Sequence, residues 1–146
     1  MTNPVQAVLA DRVAAISMFE NWCRSKGACP LPALPGVVAA FAADCEVLGL
    51  QKLVEIVAAI SNVHTSRGFA DPTFGPVSAE LGRIARLEPP RAWPREQWER
   101  FRSLPYELQV YLAGHEKQRE TVLRRSQNEA AAARRELAES KSKEAA

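Results

Sequence analysis

The sequence predicts an all-α protein, and three observations lead to this class. The chain of 146 residues is rich in alanine, leucine, glutamate and arginine, which are strong helix formers. Apolar residues recur at steps of three and four, the period of a helix with one buried face. Alternating runs of valine, isoleucine and threonine, which would indicate strands, are missing. Hydrophobic residues make up 47% of the chain, enough for the core of one ordinary domain.

The first helix is predicted over Pro4 to Ser25. Gly27 then follows two cations suited to a helix C-terminus, and the prolines of segment 28–36 prevent the helix from resuming. This segment is expected to form a stiff extended connection. The expected inner face of the helix comprises Val8, Leu9, Val13, Ile16, Phe19, Trp22 and Cys23.

Three shorter helices are predicted to form a compact bundle with the first. They span about Pro35 to Leu48, Leu50 to Arg67 and Pro76 to Leu87, and they end at Gly49, Gly68 and Pro89-Pro90 respectively. The expected core positions are Val37, Val38, Phe41, Cys45 and Leu48, then Leu53, Ile56, Val57, Ile60, Val63 and His64, and finally Val77, Leu81, Ile84 and Leu87.

The sequence divides into three segments: a helical bundle (1–88), a helical segment with tryptophans and prolines (89–114) and a charged, alanine-rich helical tail (115–146). The tail is expected to fray near Lys141. Steps of three and four connect Leu108, Tyr111, His115, Val122, Ser126, Ala133 and Leu137. Because these positions hold few large aliphatic residues, they do not predict a long coiled coil. A solvated helix is the favoured interpretation, and self-association through the tail is the alternative.

The net charge of +2 does not identify a partner. Residues 1–87 contain seven basic and seven acidic residues, and residues 88–146 contain twelve basic and ten acidic ones. Nucleic-acid-binding proteins usually show a basic excess, so any basic face here must arise from folding. Trp93 and Trp98 lie among arginines, a combination that can stack on bases, but packing of both indoles in the core is favoured.

No motif for catalysis, phosphate binding or metal binding is present. The spacing of Cys23 and Cys29 does not match a pair of metal ligands. Cys23 or Cys45 could pair with His64 as a nucleophile, but both cysteines lie on apolar faces where burial makes a thiol inert. We therefore predict no enzymatic activity, no cofactor and no small-molecule substrate. With no apparent leader and no long apolar run, a cytoplasmic protein outside the membrane is expected.

Several short motifs follow one another in a defined order. They are Phe19-Glu-Asn-Trp22-Cys23 before Gly27, Pro30-Leu31-Pro32-Ala33 before Pro35, Val38-Ala-Ala-Phe41, Ala58-Ala59-Ile60-Ser61, His64, Gly68, and Asp71-Pro72-Thr73 with Pro76. This order resembles the N-terminal core-binding domain of the tyrosine recombinases, the phage integrase family, over the first 87 residues. The resemblance implies a four-helix, SAM-like bundle that clamps one side of a recombination site and contacts DNA phosphates and grooves.

The chain also departs from that family. The family's catalytic domain carries an Arg-His-Arg set and a tyrosine nucleophile, and Tyr106 and Tyr111 lack this context, so strand cleavage is not implied. The family's third helix usually begins with a basic segment, whereas residues 51–55 here read Gln-Lys-Leu-Val-Glu.

The resemblance therefore implies that only four basic residues contact DNA. They are Lys52 and Arg67 of the third helix and Arg83 and Arg86 of the fourth. Our first hypothesis is a non-catalytic module that binds double-stranded DNA, either an accessory protein or an integrase remnant. The alternative is a helical protein–protein interaction or assembly protein that uses its C-terminal helix.

Overall fold

The structure is a computed structural model that describes residues 3–145, and this range contains no strand. The helices are α1 (Pro4–Lys26), α2 (Pro35–Asp44), α3 (Leu50–Ser66), α4 (Pro76–Ile84), α5 (Trp98–Ser103) and α6 (Tyr106–Glu144). Short 3₁₀ turns at Glu46–Leu48 and Arg95–Gln97 precede α3 and α5. The all-α class and the helical bundle with a C-terminal helix are confirmed.

The chain forms two compact units, Met1–Val110 and Tyr111–Ala146. The first unit extends beyond the boundary at residue 88 that the sequence suggested. It includes α5 and the start of α6 because Phe101 and Gln109 are both fully buried within it. The second unit is the remainder of α6.

Helix α1 begins and ends as its sequence predicts. The Oδ1 atom of Asn3 accepts a hydrogen bond from the backbone N–H of Val5 at 3.1 Å, which caps the first turn. Gly27 ends the helix with a φ of +67°, a conformation that glycine adopts without the steric cost of a side chain. The helix reaches Lys26, one residue beyond the predicted end.

Only the C-terminal half of the predicted inner face of α1 is buried. Phe19 and Cys23 lie in the core, whereas Val8, Leu9 and Val13 are each more than half exposed, so their assignment to the core was wrong. Length explains the exposure of Val8 and Leu9, whereas Val13 lies about 120° around the helix axis from Phe19, off the buried face. The 23 residues of α1 span about 35 Å, whereas the 10 residues of α2 and the 17 of α3 span about 15 and 25 Å.

The core is centred on α2 and α3. Phe41 of α2 is fully buried, and the rings of Phe19 and Trp22 pack on it nearly perpendicularly, at centroid distances of 5.2 and 5.6 Å. Helix α2 ends at Asp44, earlier than predicted, because the chain turns into the 3₁₀ segment and leaves Leu48 exposed. The predicted core residues that are only half-buried are Ile16, Trp22, Val37, Cys45, Val63, Ile84 and Leu87.

His64 connects the proline-rich segment after α1 to α3. Its Nε2 accepts a hydrogen bond from the backbone N–H of Ala33 at 2.8 Å, and its Nδ1 donates to the carbonyl of Ile60 at 2.8 Å. These two partners require the neutral ring with its proton on Nδ1. The imidazole therefore serves as a structural bridge within the core.

Gln109, in the first turn of α6, closes the bundle on the side of α4. Its buried Nε2 donates to the carbonyls of Ser78, Arg102 and Leu104 at 2.9–3.0 Å. The amide lies so close to Gly82 that a Cβ atom at this position would overlap Gln109 Oε1. A glycine inside α4 thus provides the space in which the amide sits.

Helix α4 ends at Ile84, three residues before the predicted end at Leu87. Arg86 adopts a φ of +55°, which reverses the chain, and the N–H of Leu87 donates to the carbonyl of Gly82 at 2.9 Å. This closure is typical of a helix terminus with a left-handed residue just beyond it.

Candidate functional site

The four cations that the resemblance assigns to DNA contact do not form one patch. Lys52 lies in the first turn of α3 and Arg67 directly follows its last turn, roughly 22 Å away along the helix axis. Arg83 lies in the last turn of α4 and Arg86 lies two residues after the end of this helix, and both line the same cavity.

Arg83 is held by two carboxylates. Its guanidinium donates to Glu80 at 2.6 Å and to Glu46 at 2.9 Å, which ties α4 to the 3₁₀ turn before α3. The hydrogen bonds to Glu80 and then to Glu46 raise the pKa of Arg83. A phosphate would have to displace these carboxylates, so Arg83 is better placed to connect two elements than to bind DNA.

Lys52 has an acidic neighbour on the same helix. Its ammonium lies 3.5 Å from a carboxylate oxygen of Glu55, and both residues line a groove between α1 and α3. Asp11 and Arg12 face the same groove from α1. The groove therefore combines both signs of charge and does not favour an anion.

Arg67 and Arg86 are the two cations of the set that remain available. Both are exposed, and neither forms an ion pair with another residue of the described range. Each side chain can reach a ligand without breaking an internal contact. Of the predicted DNA-contact residues, these two therefore fit the role best.

The aromatic segment before α6 packs on itself. The rings of Trp93 and Phe101 pack perpendicular to each other at a centroid distance of 6.1 Å, and Trp98 Nε1 donates to the carbonyl of Trp93 at 3.2 Å. Arg95 lies over the Trp98 ring, 5.6 Å from its centroid. Both indoles are half-buried, as expected for packing within the bundle, and they do not form an open platform for bases.

The three thiols and His64 do not form a catalytic pair. Both ring nitrogens of His64 are engaged by backbone groups, so the ring cannot accept a proton from a thiol. Burial raises the pKa of Cys23 and of Cys45, which disfavours the reactive thiolate at neutral pH.

The second unit is a helix that buries none of its described side chains. Residues 111–145 contain no buried position, although this stretch has four large apolar side chains that are each more than half exposed. They are Tyr111, Val122, Leu123 and Leu137. The helix continues to Glu144, past Lys141, where the sequence predicted fraying.

A set of six residues, which we call the α6 seam, forms one face of this helix. It consists of Leu123, Ser126, Ala130, Ala133, Leu137 and Ser140, which alternate by steps of three and four residues. All six are exposed. The positions connected by sequence periodicity share Ser126, Ala133 and Leu137 with the seam but include Val122 in place of Leu123. The absence of charge at every third and fourth position was the signal that could have identified the seam.

Residues 3–145 include no helix whose length and apolar character would suit a membrane crossing. In comparisons with known proteins, no family model, curated protein or solved structure matches the chain. The α6 seam and the two exposed arginines, Arg67 and Arg86, are the candidate functional features of the described residues.

Proposed function

We propose that this chain is a non-catalytic assembly protein that self-associates through the C-terminal part of α6. The observation that carries this proposal is the second unit, a helix that leaves all its described side chains unburied while bearing leucines and valine. Isolated helices are marginal in water, and most helices in proteins gain stability by burying an apolar face against a partner. The α6 seam supplies such a face.

The charge of the first unit supports the same proposal. Residues 1–110 contain eleven basic and eleven acidic residues, and several of the cations are paired with carboxylates. A neutral surface of this kind has little long-range attraction for a polyanion. A neutral first unit is consistent with a protein that assembles through its C-terminal helix.

Sedimentation velocity of the full chain, over a wide range of micromolar concentrations, tests the proposal. We expect the average mass to rise with concentration. Ala133→Glu puts a charge into the seam and should lower the association constant by at least about tenfold. Ala132→Glu is the matched control, because the same change one residue away lies outside the seam. A monomer at every concentration, or equal effects of the two variants, would contradict the proposal.

We propose DNA binding by the first unit as a second candidate function. Two observations support it: the availability of Arg67 and Arg86, and the resemblance of residues 1–87 to the core-binding domain of tyrosine recombinases. Two phosphate contacts per copy give weak binding, and self-association would multiply them by linking two bundles.

Titration of a labelled DNA duplex at two salt concentrations tests this second candidate. Binding through phosphates should weaken steeply as salt rises. The Arg67→Gln, Arg86→Gln double variant should reduce the slope of log affinity against log salt by about two per copy. Arg100→Gln removes a comparable exposed charge elsewhere and should change the slope less. No binding at the lower salt concentration would exclude this function.

We also propose a reducing, cytoplasmic location. Cys23, Cys29 and Cys45 are all free thiols, and Cys29 is exposed. Exposed free thiols are typical of proteins from reducing compartments. Localisation of the tagged full chain by microscopy and cell fractionation tests this assignment, and recovery of the chain outside the cytoplasmic fraction would contradict it.

A further inference from the structure

We infer that two copies of this chain pair through the α6 seam as a parallel, in-register, two-stranded coiled coil. This inference rests on the proposed self-association and names its partner and orientation. In heptad notation, the seam places Leu123, Ala130 and Leu137 at a positions and Ser126, Ala133 and Ser140 at d positions. Small residues at four of these six positions allow two helices to approach closely.

The charges beside the seam distinguish the possible orientations. Glu129 and Glu136 occupy g positions, and Arg134 and Lys141 occupy e positions. In a parallel pair, each g residue faces the e residue five positions later in the other helix. Glu129 would then face Arg134 of the second copy, and Glu136 would face Lys141. Two-fold symmetry repeats each attraction on the opposite side of the pair.

An antiparallel pair would bring like charges together. In that orientation, g positions face g positions and e positions face e positions. In the antiparallel register that pairs the whole seam, Glu129 and Glu136 would lie opposite each other, Arg134 would lie opposite the uncharged Gln127, and Lys141 would lie opposite Glu120. Like charges across a helix pair are unfavourable, so the flanking residues select the parallel arrangement.

Most of these charges are available for a second helix. Arg134, Glu136 and Lys141 form no ion pair with another residue between 3 and 145. Glu129 accepts a hydrogen bond from Arg125 of its own helix at 2.9 Å, which leaves its second oxygen to be shared. Because the seam contains only two leucines, we expect a reversible, concentration-dependent dimer rather than a permanent one.

Exchanging the charges of the Glu136–Lys141 pair tests orientation without altering the seam. Glu136→Lys places cations at both positions, so a parallel dimer should dissociate about fivefold more readily. Lys141→Glu should weaken it similarly. A mixture of the two variants should regain wild-type association, because opposite charges then face each other at positions 136 and 141 on both sides of the mixed pair. The double variant should also regain it.

The outcomes separate this inference from the proposed function. If Glu136→Lys associates more strongly than the wild type, position 136 faces Glu129 of the second copy, the pairing is antiparallel and the inference is overturned, while self-association stands. If single variants and mixture behave like the wild type, the assigned register is wrong. If the wild-type chain is monomeric throughout, both proposals fail. Circular dichroism of each variant verifies that its helix content is unchanged.

Discussion

Single side chains hold the turns of the bundle in place. His64 joins the segment after α1 to α3 through the backbone N–H of Ala33, and Asp71 does the same for the turn after α3. Asp71 accepts hydrogen bonds from Ser61 Oγ at 2.6 Å and from the N–H and Oγ1 of Thr73 at 3.0 and 2.7 Å. The carboxylate thereby connects the Asp71-Pro72-Thr73 turn to the helix that precedes it.

Replacement of Asp71 by asparagine should destabilise the protein in a pH-dependent way. Burial raises the pKa of Asp71, but the hydrogen bonds from Ser61 and Thr73 outweigh it, so the pKa is lowered on balance. A folded-state pKa below the unfolded value of about 3.9 gives stability that is full above that pH and lost as pH falls through the folded value. At neutral pH, Asp71→Asn should cost about 1–2 kcal/mol.

Urea unfolding of the wild type and of Asp71→Asn from neutral pH down to about pH 3 measures this effect. The difference in unfolding free energy should shrink below about pH 4. A difference that stays constant across this range would show that the charge of Asp71 contributes nothing.

At the scale of single elements, the ends of the helices were predictable from the local sequence. Glycine readily adopts the left-handed conformation that ends a helix, and proline is tolerated in the first turn of a helix but not in its interior, so Gly27 and Pro35 mark helix ends that depend little on the rest of the fold. How much of the apolar face of α1 is buried was not predictable in the same way. Periodicity shows which face of a helix is apolar, but the length of its neighbours decides how much of that face is covered.

Substitutions at two predicted core positions of α1 should therefore have very different effects. Phe19→Ala removes a ring that is 2% exposed and should lower the unfolding free energy by about 3–5 kcal/mol. Val13→Ala acts on a side chain that is 66% exposed and should change it by no more than about 0.5 kcal/mol. Thermal or urea unfolding measures both. A Val13→Ala cost comparable to that of Phe19→Ala would mean that a partner covers the N-terminal half of α1.

At the scale of the whole molecule, the sequence predicted the fold class and the order of the helices. It did not predict which side chains of the candidate site are paired with each other. Arg83 is paired with Glu46, 37 positions away, and no local pattern contains such a contact. The same limit applies to the bond between His64 and Ala33, which are 31 positions apart. Lys52 and Glu55 are an exception, because their spacing of three on one helix predicts an ion pair.

Positions 82 and 109 cannot vary independently, because the amide of Gln109 occupies the space that a side chain at position 82 would need. Any residue other than glycine at 82 would push the amide out and break its hydrogen bonds to the carbonyls of Ser78, Arg102 and Leu104. A shorter residue at 109 would in turn leave a void beside Gly82. In relatives of this chain, we therefore expect a larger residue at position 82 only where position 109 has become smaller, so that the two change as a pair.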